Sequence, residues 1–266
     1  MKKVLFGFLF AALLGLSFSC GSSKKAVSSE ANPGYDVYLL IGQSNMAGRG
    51  KMIAQDTLKP IEGVWLLGPE DKPVPAKNPL NQYSTIRKQY SMQQICPGTA
   101  FSQEMRKHGS RDILLVVNAR GGTTLDQWVE GTEYYSEAVR RTKEAMKYGT
   151  LRGILWHQGC GDSKPAKVAV YMDKLSGMVG ALRRDLGVGE SVPFIAGELA
   201  RWRPTVAAFN EMIHGISDVI PNSAWVSSEG CTMLKNERDP HFGREGQLLL
   251  GERYAEKMLK MNKKNK

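Results

Sequence analysis

Val37-Tyr38-Leu39-Leu40-Ile41-Gly42-Gln43-Ser44-Asn45-Met46 is the stretch on which the fold turns. Residues 37–41 are a short unbroken apolar run flanked by turn residues. Such a run reads as a strand buried on both faces, because a half-exposed strand would alternate apolar and polar positions. Gly42 ends it, and the chain becomes polar at once. A strand that stops abruptly at a glycine and a hydroxyl residue delivers those groups to the edge of a sheet.

The same reading applies to 113–117, 153–156, 193–196 and 224–226. Between these runs lie amphipathic segments with helical spacing at 100–107, 134–147, 166–186, 206–220 and 244–261. Continuous apolar strands alternating with helices imply an α/β fold, a parallel sheet covered by helices on both sides. The region 50–94 is rich in Pro, Gly and polar residues and weakly periodic. It is expected to form long loops over one edge of the sheet. There is no internal repeat.

The 266 residues suit one sizeable domain behind a removable leader. Met1-Lys2-Lys3, an apolar run over 4–16 and Ser17-Phe18-Ser19-Cys20 form the layout of a secretory signal. The apolar run is too short to span a bilayer. Cys20 after small residues resembles a bacterial lipoprotein cleavage site, so it is the expected lipid anchor to a bacterial membrane. The organisation is then 1–19 signal peptide, 20–34 flexible tether, 35–262 catalytic domain and 263–266 basic tail. With Cys20 acylated, Cys96, Cys160 and Cys231 remain, an odd number that leaves a thiol free if bonds are only intramolecular. No two of them have metal-ligand spacing, so no metal is expected. The formal charge of +10 is spread along the chain and accompanies no nucleic-acid motif, so no nucleic-acid partner is expected.

In open α/β sheets ligands bind beyond the carboxyl ends of the strands. The segments found there are Gly42-Gln43-Ser44-Asn45-Met46, Asn118-Ala119-Arg120-Gly121-Gly122-Thr123, His157-Gln158-Gly159-Cys160-Gly161-Asp162 and Gly197-Glu198, with Asp239-Pro240-His241-Phe242 before the last helix. They contain what acyl transfer needs: a nucleophile, a base, an acid that orients the base, and oxyanion donors. Among His108, His157, His214 and His241, the last has an acid, Asp239, two residues before it in a loop that crosses the top of the sheet. It is the best base for the Ser44 hydroxyl. The Ser44 N–H, a glycine N–H from Gly121-Gly122 and the Gln158 side-chain amide are the candidate oxyanion donors. Gln43, Asn45 and Glu198 are candidates for holding substrate, although Glu198 with Arg201 equally reads as an ion pair. Trp128, Trp156 and Trp202 read as core or pocket wall, and Cys160 as an inert buried thiol.

These residues resemble the SGNH/GDSL hydrolase superfamily, in the carbohydrate esterase branch of sialate O-acetylesterases and acetylxylan esterases. The resemblance rests on Gly42-Gln43-Ser44-Asn45-Met46, Gly121-Gly122-Thr123 with Trp128, Trp156-His157-Gln158-Gly159, and Asp239-Pro240-His241-Phe242 with the helix over 246–258, in that order. It implies a three-layer α/β/α sandwich with a parallel, flavodoxin-like central sheet, and no metal or organic cofactor. It makes Ser44 the nucleophile and His241 the base, with Gly122 and Gln158 completing the oxyanion hole. Two residues depart from the pattern. Cys160 stands where the family usually has glutamate, and Arg238 where it usually has the acid. Asp239, one residue later, is the expected acid, with Glu237 and Asp162 in reserve. The expected function is removal of acetyl groups from carbohydrate through an acyl-enzyme. The rival is a glycan-binding lipoprotein that kept the fold and lost turnover.

Overall fold

The computed structural model describes residues 34–264, together with Met1. The chain divides into two units, 1–30 and 31–266, and apart from Met1 the description is of the second. The expected signal peptide, the anchor Cys20 and the tether up to 33 lie outside the described residues.

In chain order the elements are β1 (Tyr35–Gly42), α1 (Ser44–Ala47), α2 (Gln55–Leu58), β2 (Val64–Leu67), β3 (Pro73–Pro75), α3 (Gly98–His108), β4 (Ile113–Ala119), α4 (Glu133–Met146), β5 (Gly149–His157), α5 (Pro165–Asp185), β6 (Phe194–Gly197), α6 (Ala207–His214), α7 (Ile216–Val219), β7 (Ser223–Val226) and α8 (Arg244–Lys264). Seven strands form one sheet in the order β3-β2-β4-β1-β5-β6-β7. The five strands expected from the apolar runs are neighbours and all parallel. Their order is that of a flavodoxin-like sheet.

β1 lies at the centre, and its side chains divide between two cores. Val37, Leu39 and Ile41 pack with Tyr135 of α4, Leu175 of α5, Phe209 of α6 and Ile216 of α7. Tyr38 and Leu40 pack with Met46 of α1, Phe101 of α3 and Tyr254 of α8. Both faces of the strand are covered, and for that reason its sequence is apolar without alternation. The result is the expected three-layer sandwich.

Three expectations are corrected. The region 50–94 is more than loop, since β2 and β3 extend the sheet at the β4 edge. β2 is four residues between Gly63 and Gly68, too short to carry a period. β3 begins and ends on proline and runs antiparallel, which an edge strand tolerates because one side of its ladder is unused. The segment 206–220 is two helices, interrupted at Gly215. The last helix continues to Lys264, beyond its expected end at 261. Among the described residues Cys96, Cys160 and Cys231 are all free thiols.

The register of the central strands sets the site. Gly42 at the end of β1 is level with Ala119 at the end of β4 and with His157 at the end of β5. The three loops that follow therefore start from one edge of the sheet.

Candidate active site

The chain leaves β1 through a turn that only glycine allows. Gly42 has φ +135°, and a Cβ there would lie 2.3 Å from the His157 carbonyl oxygen. The next amide, Gln43 N–H, donates to that carbonyl at 2.8 Å. The Gln43 side chain then turns inward, and its Oε1 accepts from the N–H groups of Gly159 and Cys160 at 3.0 and 3.1 Å. Ser44 follows as the first residue of α1, held between the β5 loop on one side and the β4 loop on the other.

The loop before α8 brings the remaining partners. His241 Nε2 is 2.9 Å from Ser44 Oγ, across 197 positions of sequence. His241 Nδ1 is 2.5 Å from Asp239 Oδ1. The same carboxylate oxygen accepts the His241 backbone N–H at 3.0 Å. That local turn lets an acid two residues upstream reach the ring, because its side chain folds back onto the backbone two residues on. Glu237 is exposed, and Asp162 is buried with its oxygens committed to Leu125 N–H, Gln158 and Lys167. Of the three carboxylates, Asp239 makes the contact with the His241 ring.

Burial pushes the His241 imidazolium pKa down. Asp239 opposes this, and the positive charges of Arg49 and Lys235 add to the lowering. A base that stays neutral below the usual histidine range remains able to accept a proton in mildly acid solution.

Several expected site residues prove to be scaffold. Asn45 is fully buried and ties α1 to the histidine loop: its Nδ2 donates to Pro240 O at 3.1 Å, and its Oδ1 accepts from Phe242 N–H at 3.2 Å and Gln247 Nε2 at 3.1 Å. Gln43 braces the β5 loop as described. Glu198 has no exposed surface; its carboxylate receives Arg201, His214 and the Ser228 N–H. Burial opposes its ionisation, but Arg201, the Ser228 N–H and His214 outweigh it and hold the carboxyl at about 2. Asn45 and Glu198 are therefore withdrawn as direct substrate contacts, because their polar atoms are already engaged inside the protein, and Gln43 commits its Oε1 to the β5 loop.

Gln158 is corrected for the same reason. Its Nε2 donates to Thr123 O at 2.9 Å and to Asp162 Oδ2 at 2.6 Å, and its Oε1 accepts from Tyr171 OH at 2.7 Å. An amide nitrogen has two protons, so none is left for an oxyanion. Gln158 instead supports the glycine turn from beneath. In that turn a Cβ at Gly121 would be 3.2 Å from Ser44 Cβ, whereas one at Gly122 would meet Lys88 Nζ at 3.4 Å. Gly122 is exposed, with φ +79°.

Trp128 and Trp156 are buried and meet edge to face at 5.5 Å, as core residues. Trp202 does more than line a wall. Its Nε1 donates to Asp239 O at 2.9 Å, and its ring meets Phe242 edge to face at 5.4 Å. His157 on the far side of Phe242 is 5.6 Å away, centroid to centroid. Burial lowers its pKa to about 3, which keeps it neutral.

Sequence reasoning passed over Arg49. It lies five residues after Ser44 between two glycines, and that spacing was the available signal. Its Nη1 donates to Gly48 O at 2.6 Å and Met92 O at 2.8 Å.

Comparison with known proteins agrees with the fold. A family model described as carbohydrate esterase, sialic acid-specific acetylesterase, matches residues 34–260. A probable carbohydrate esterase of Arabidopsis thaliana is 28% identical over 254 residues, covering 89% of this chain and 95% of that protein. An Arabidopsis thaliana crystal structure superposes with a TM-score of 0.76 at 26% identity, covering 86% of this chain and 99% of the other. The crystal structure of NanS superposes with a TM-score of 0.69 at 16% identity, covering 88% and 99%. A carbohydrate acetylesterase from Xanthomonas citri gives 0.63 at 14%, covering 86% of this chain and 57% of that one. The last two are likenesses of fold.

Proposed function

The chain belongs to the sialic acid-specific acetylesterase family of carbohydrate esterases and is a carbohydrate O-acetylesterase, and from that premise we propose that it works through a covalent acyl-enzyme on Ser44. His241 Nε2 takes the proton of Ser44 Oγ as that oxygen attacks the acetyl carbonyl carbon. The carbonyl π-bond opens and leaves its electron pair on oxygen. When the tetrahedral intermediate collapses, the bond to the sugar oxygen breaks and His241 gives that oxygen the proton. The acetyl group remains on Ser44. Water then repeats the sequence: His241 accepts its proton, the hydroxide attacks the acyl carbon, and acetate leaves as Ser44 regains its proton. Asp239 holds Nδ1 protonated and stabilises the imidazolium formed in both halves. The backbone N–H groups of Ser44 and of the Gly121-Gly122 turn donate to the oxyanion.

The observation that carries this reading is the 2.9 Å approach of His241 Nε2 to Ser44 Oγ, with Asp239 2.5 Å from the other ring nitrogen. The test is Ser44→Ala against p-nitrophenyl acetate and an acetylated sugar. The expected loss in kcat is about 10⁶-fold, the scale seen when a serine nucleophile is removed. A fluorophosphonate probe is expected to label the wild-type protein once, at Ser44. A wild-type rate in the alanine variant overturns the mechanism. A silent glycan-binding role draws no support from the site, where nucleophile, base and acid are all in contact.

The same reading takes the chain to be exported and held at a bacterial membrane by lipid on Cys20. Metabolic labelling with palmitate, expected in the wild type and absent in Cys20→Ala, tests it. Among the described residues no helix is long and apolar enough to cross a membrane.

A further inference from the structure

Removing Gln158 from the oxyanion site leaves the developing charge with backbone donors alone, and a cation stands beside them. Arg49 is half-buried, and burial pushes its guanidinium pKa down. Among the described residues it forms no ion pair with a carboxylate. Nη1 is spent on Gly48 O and Met92 O, which fixes the plane of the guanidinium. A Cβ at position 121 would lie 2.8 Å from Nη2 and 3.2 Å from Ser44 Cβ. Nη2 thus cannot be further from the Ser44 side chain than those two distances laid end to end. It is on the Gly121 flank, the flank that supplies the backbone donors. Arg49 Nη2 and the Ser44 side chain both border the space that a Cβ on Gly121 would occupy.

We propose that Arg49 Nη2 donates to the oxyanion of the tetrahedral intermediate on Ser44, in the position that Gln158 is not free to fill. The proposal rests on the Ser44 acyl-enzyme mechanism. A partly desolvated cation without an anionic partner is held at a cost, and that cost is offset only when negative charge appears next to it. The ester carbonyl of the bound substrate is neutral. The intermediate carries a full negative charge on the same oxygen. The interaction therefore grows between ground state and transition state, and it raises kcat more than it lowers KM. No proton changes hands at Arg49, which stays charged throughout.

The charges facing the His241 ring give an independent readout. Asp239 raises the ring's pKa, while Arg49 and Lys235 lower it. Lys88, whose Nζ lies 3.4 Å from the position a Cβ would take on Gly122, is exposed on the outer side of the turn. Neutralising Arg49 removes one of the two lowering charges and leaves Asp239 in place. The His241 pKa then rises, and the acid limb of the kcat/KM profile moves to higher pH.

The experiment compares Arg49→Ala and Arg49→Lys with wild type on p-nitrophenyl acetate, which carries no charge for a substrate-reading arginine to recognise. Lysine keeps a donor near Gly48 O and Met92 O, so it guards against simple collapse of the loop. Both variants are expected to lose roughly 10²–10³-fold in kcat, the scale of one lost oxyanion donor, with KM little changed. Millimolar guanidinium is expected to restore part of the Arg49→Ala rate and none of the Ser44→Ala rate, and the acid limb of Arg49→Ala is expected to move up. An unchanged kcat on p-nitrophenyl acetate overturns the proposal. So does a loss confined to KM for carboxylate-bearing sugars, which would make Arg49 a reader of substrate charge. A fall in thermal stability in both variants without guanidinium rescue overturns it as well, reducing Arg49 to a loop clamp. A wild-type rate in Ser44→Ala is a different failure, since it removes the mechanism while leaving the Arg49 measurements intact.

Discussion

A side chain at position 121 would push into the space shared by Ser44 and Arg49. The backbone of Gly121 is not in the left-handed region, so alanine is acceptable to the chain itself; the obstruction is the Cβ, 2.8 Å from Arg49 Nη2 and 3.2 Å from Ser44 Cβ. Arg49 yields more readily than the serine turn, because a guanidinium is the far end of a flexible side chain. Gly121→Ala is expected to lower kcat by up to about 10²-fold, as for the displacement of one oxyanion donor, while thermal unfolding changes little. The two measurements together check that the substitution acts on the site and not on the fold. The contact of Ser44 with His241, and of His241 with Asp239, was legible in the sequence. A serine after a buried strand and a histidine with a nearby acid have few alternatives once they lie at one sheet edge. The roles of Gln43, Asn45, Gln158 and Glu198 were not legible. An amide or carboxylate in a polar loop serves substrate or scaffold equally well until its neighbours are known. Here each one finds its donors or acceptors inside the protein.

At the scale of elements, the site is a junction of α1 with the loop leading into α8. Asn45 makes that junction with three hydrogen bonds from one buried side chain. Asn45→Ala leaves Pro240 O, Phe242 N–H and Gln247 Nε2 without that partner. Unsatisfied buried groups cost about 1–3 kcal/mol each when they find no replacement, and relaxation reduces the sum. A stability loss of about 3 kcal/mol is expected in urea denaturation. A fall in kcat is expected with it, because the histidine loop loses its tie to α1, where Ser44 sits. A normal kcat in a destabilised variant would show that Trp202, through Asp239 O, is sufficient to hold the loop. The elements themselves differed in how openly they were written. β1 declares itself because both of its faces are buried. β2 does not, because four residues between glycines contain no period to detect. The break between α6 and α7 at Gly215 was hidden by an apolar spacing that continues across it.

For the whole molecule, the packing of two helical layers on the sheet closes His157 off from water. Among the described residues its Nε2 has no partner, and its Nδ1 is 3.5 Å from Tyr254 OH. The folded state therefore keeps the ring neutral down to about pH 3. The unfolded chain takes up a proton near the usual histidine value of about 6.5. Above that value neither state is protonated and His157 contributes no pH dependence. As pH falls from about 6.5 towards 3, the unfolded state alone binds the proton, and stability declines by at most about 1.4 kcal/mol per unit. Glu198 adds a separate decline lower down, between the ordinary carboxylate range and about pH 2. Urea midpoints measured from pH 7 to 5 are expected to fall in the wild type and to flatten in His157→Asn. An equal slope in both would assign the acid sensitivity to other groups.

The sequence by itself determined the layer architecture, the five central parallel strands and the polar loops that gather at one edge of the sheet. Those properties depend on side-chain periodicity and on where apolar runs stop, which are local along the chain. Only the tertiary structure decided which polar side chains in those loops face the cleft. It turned Gln158 and Asn45 inward, let Asp239 reach His241 from two residues away, and set Arg49 beside Ser44. The physical reason is that a polar side chain points wherever its hydrogen bonds can be satisfied, and its partners come from segments far away in sequence.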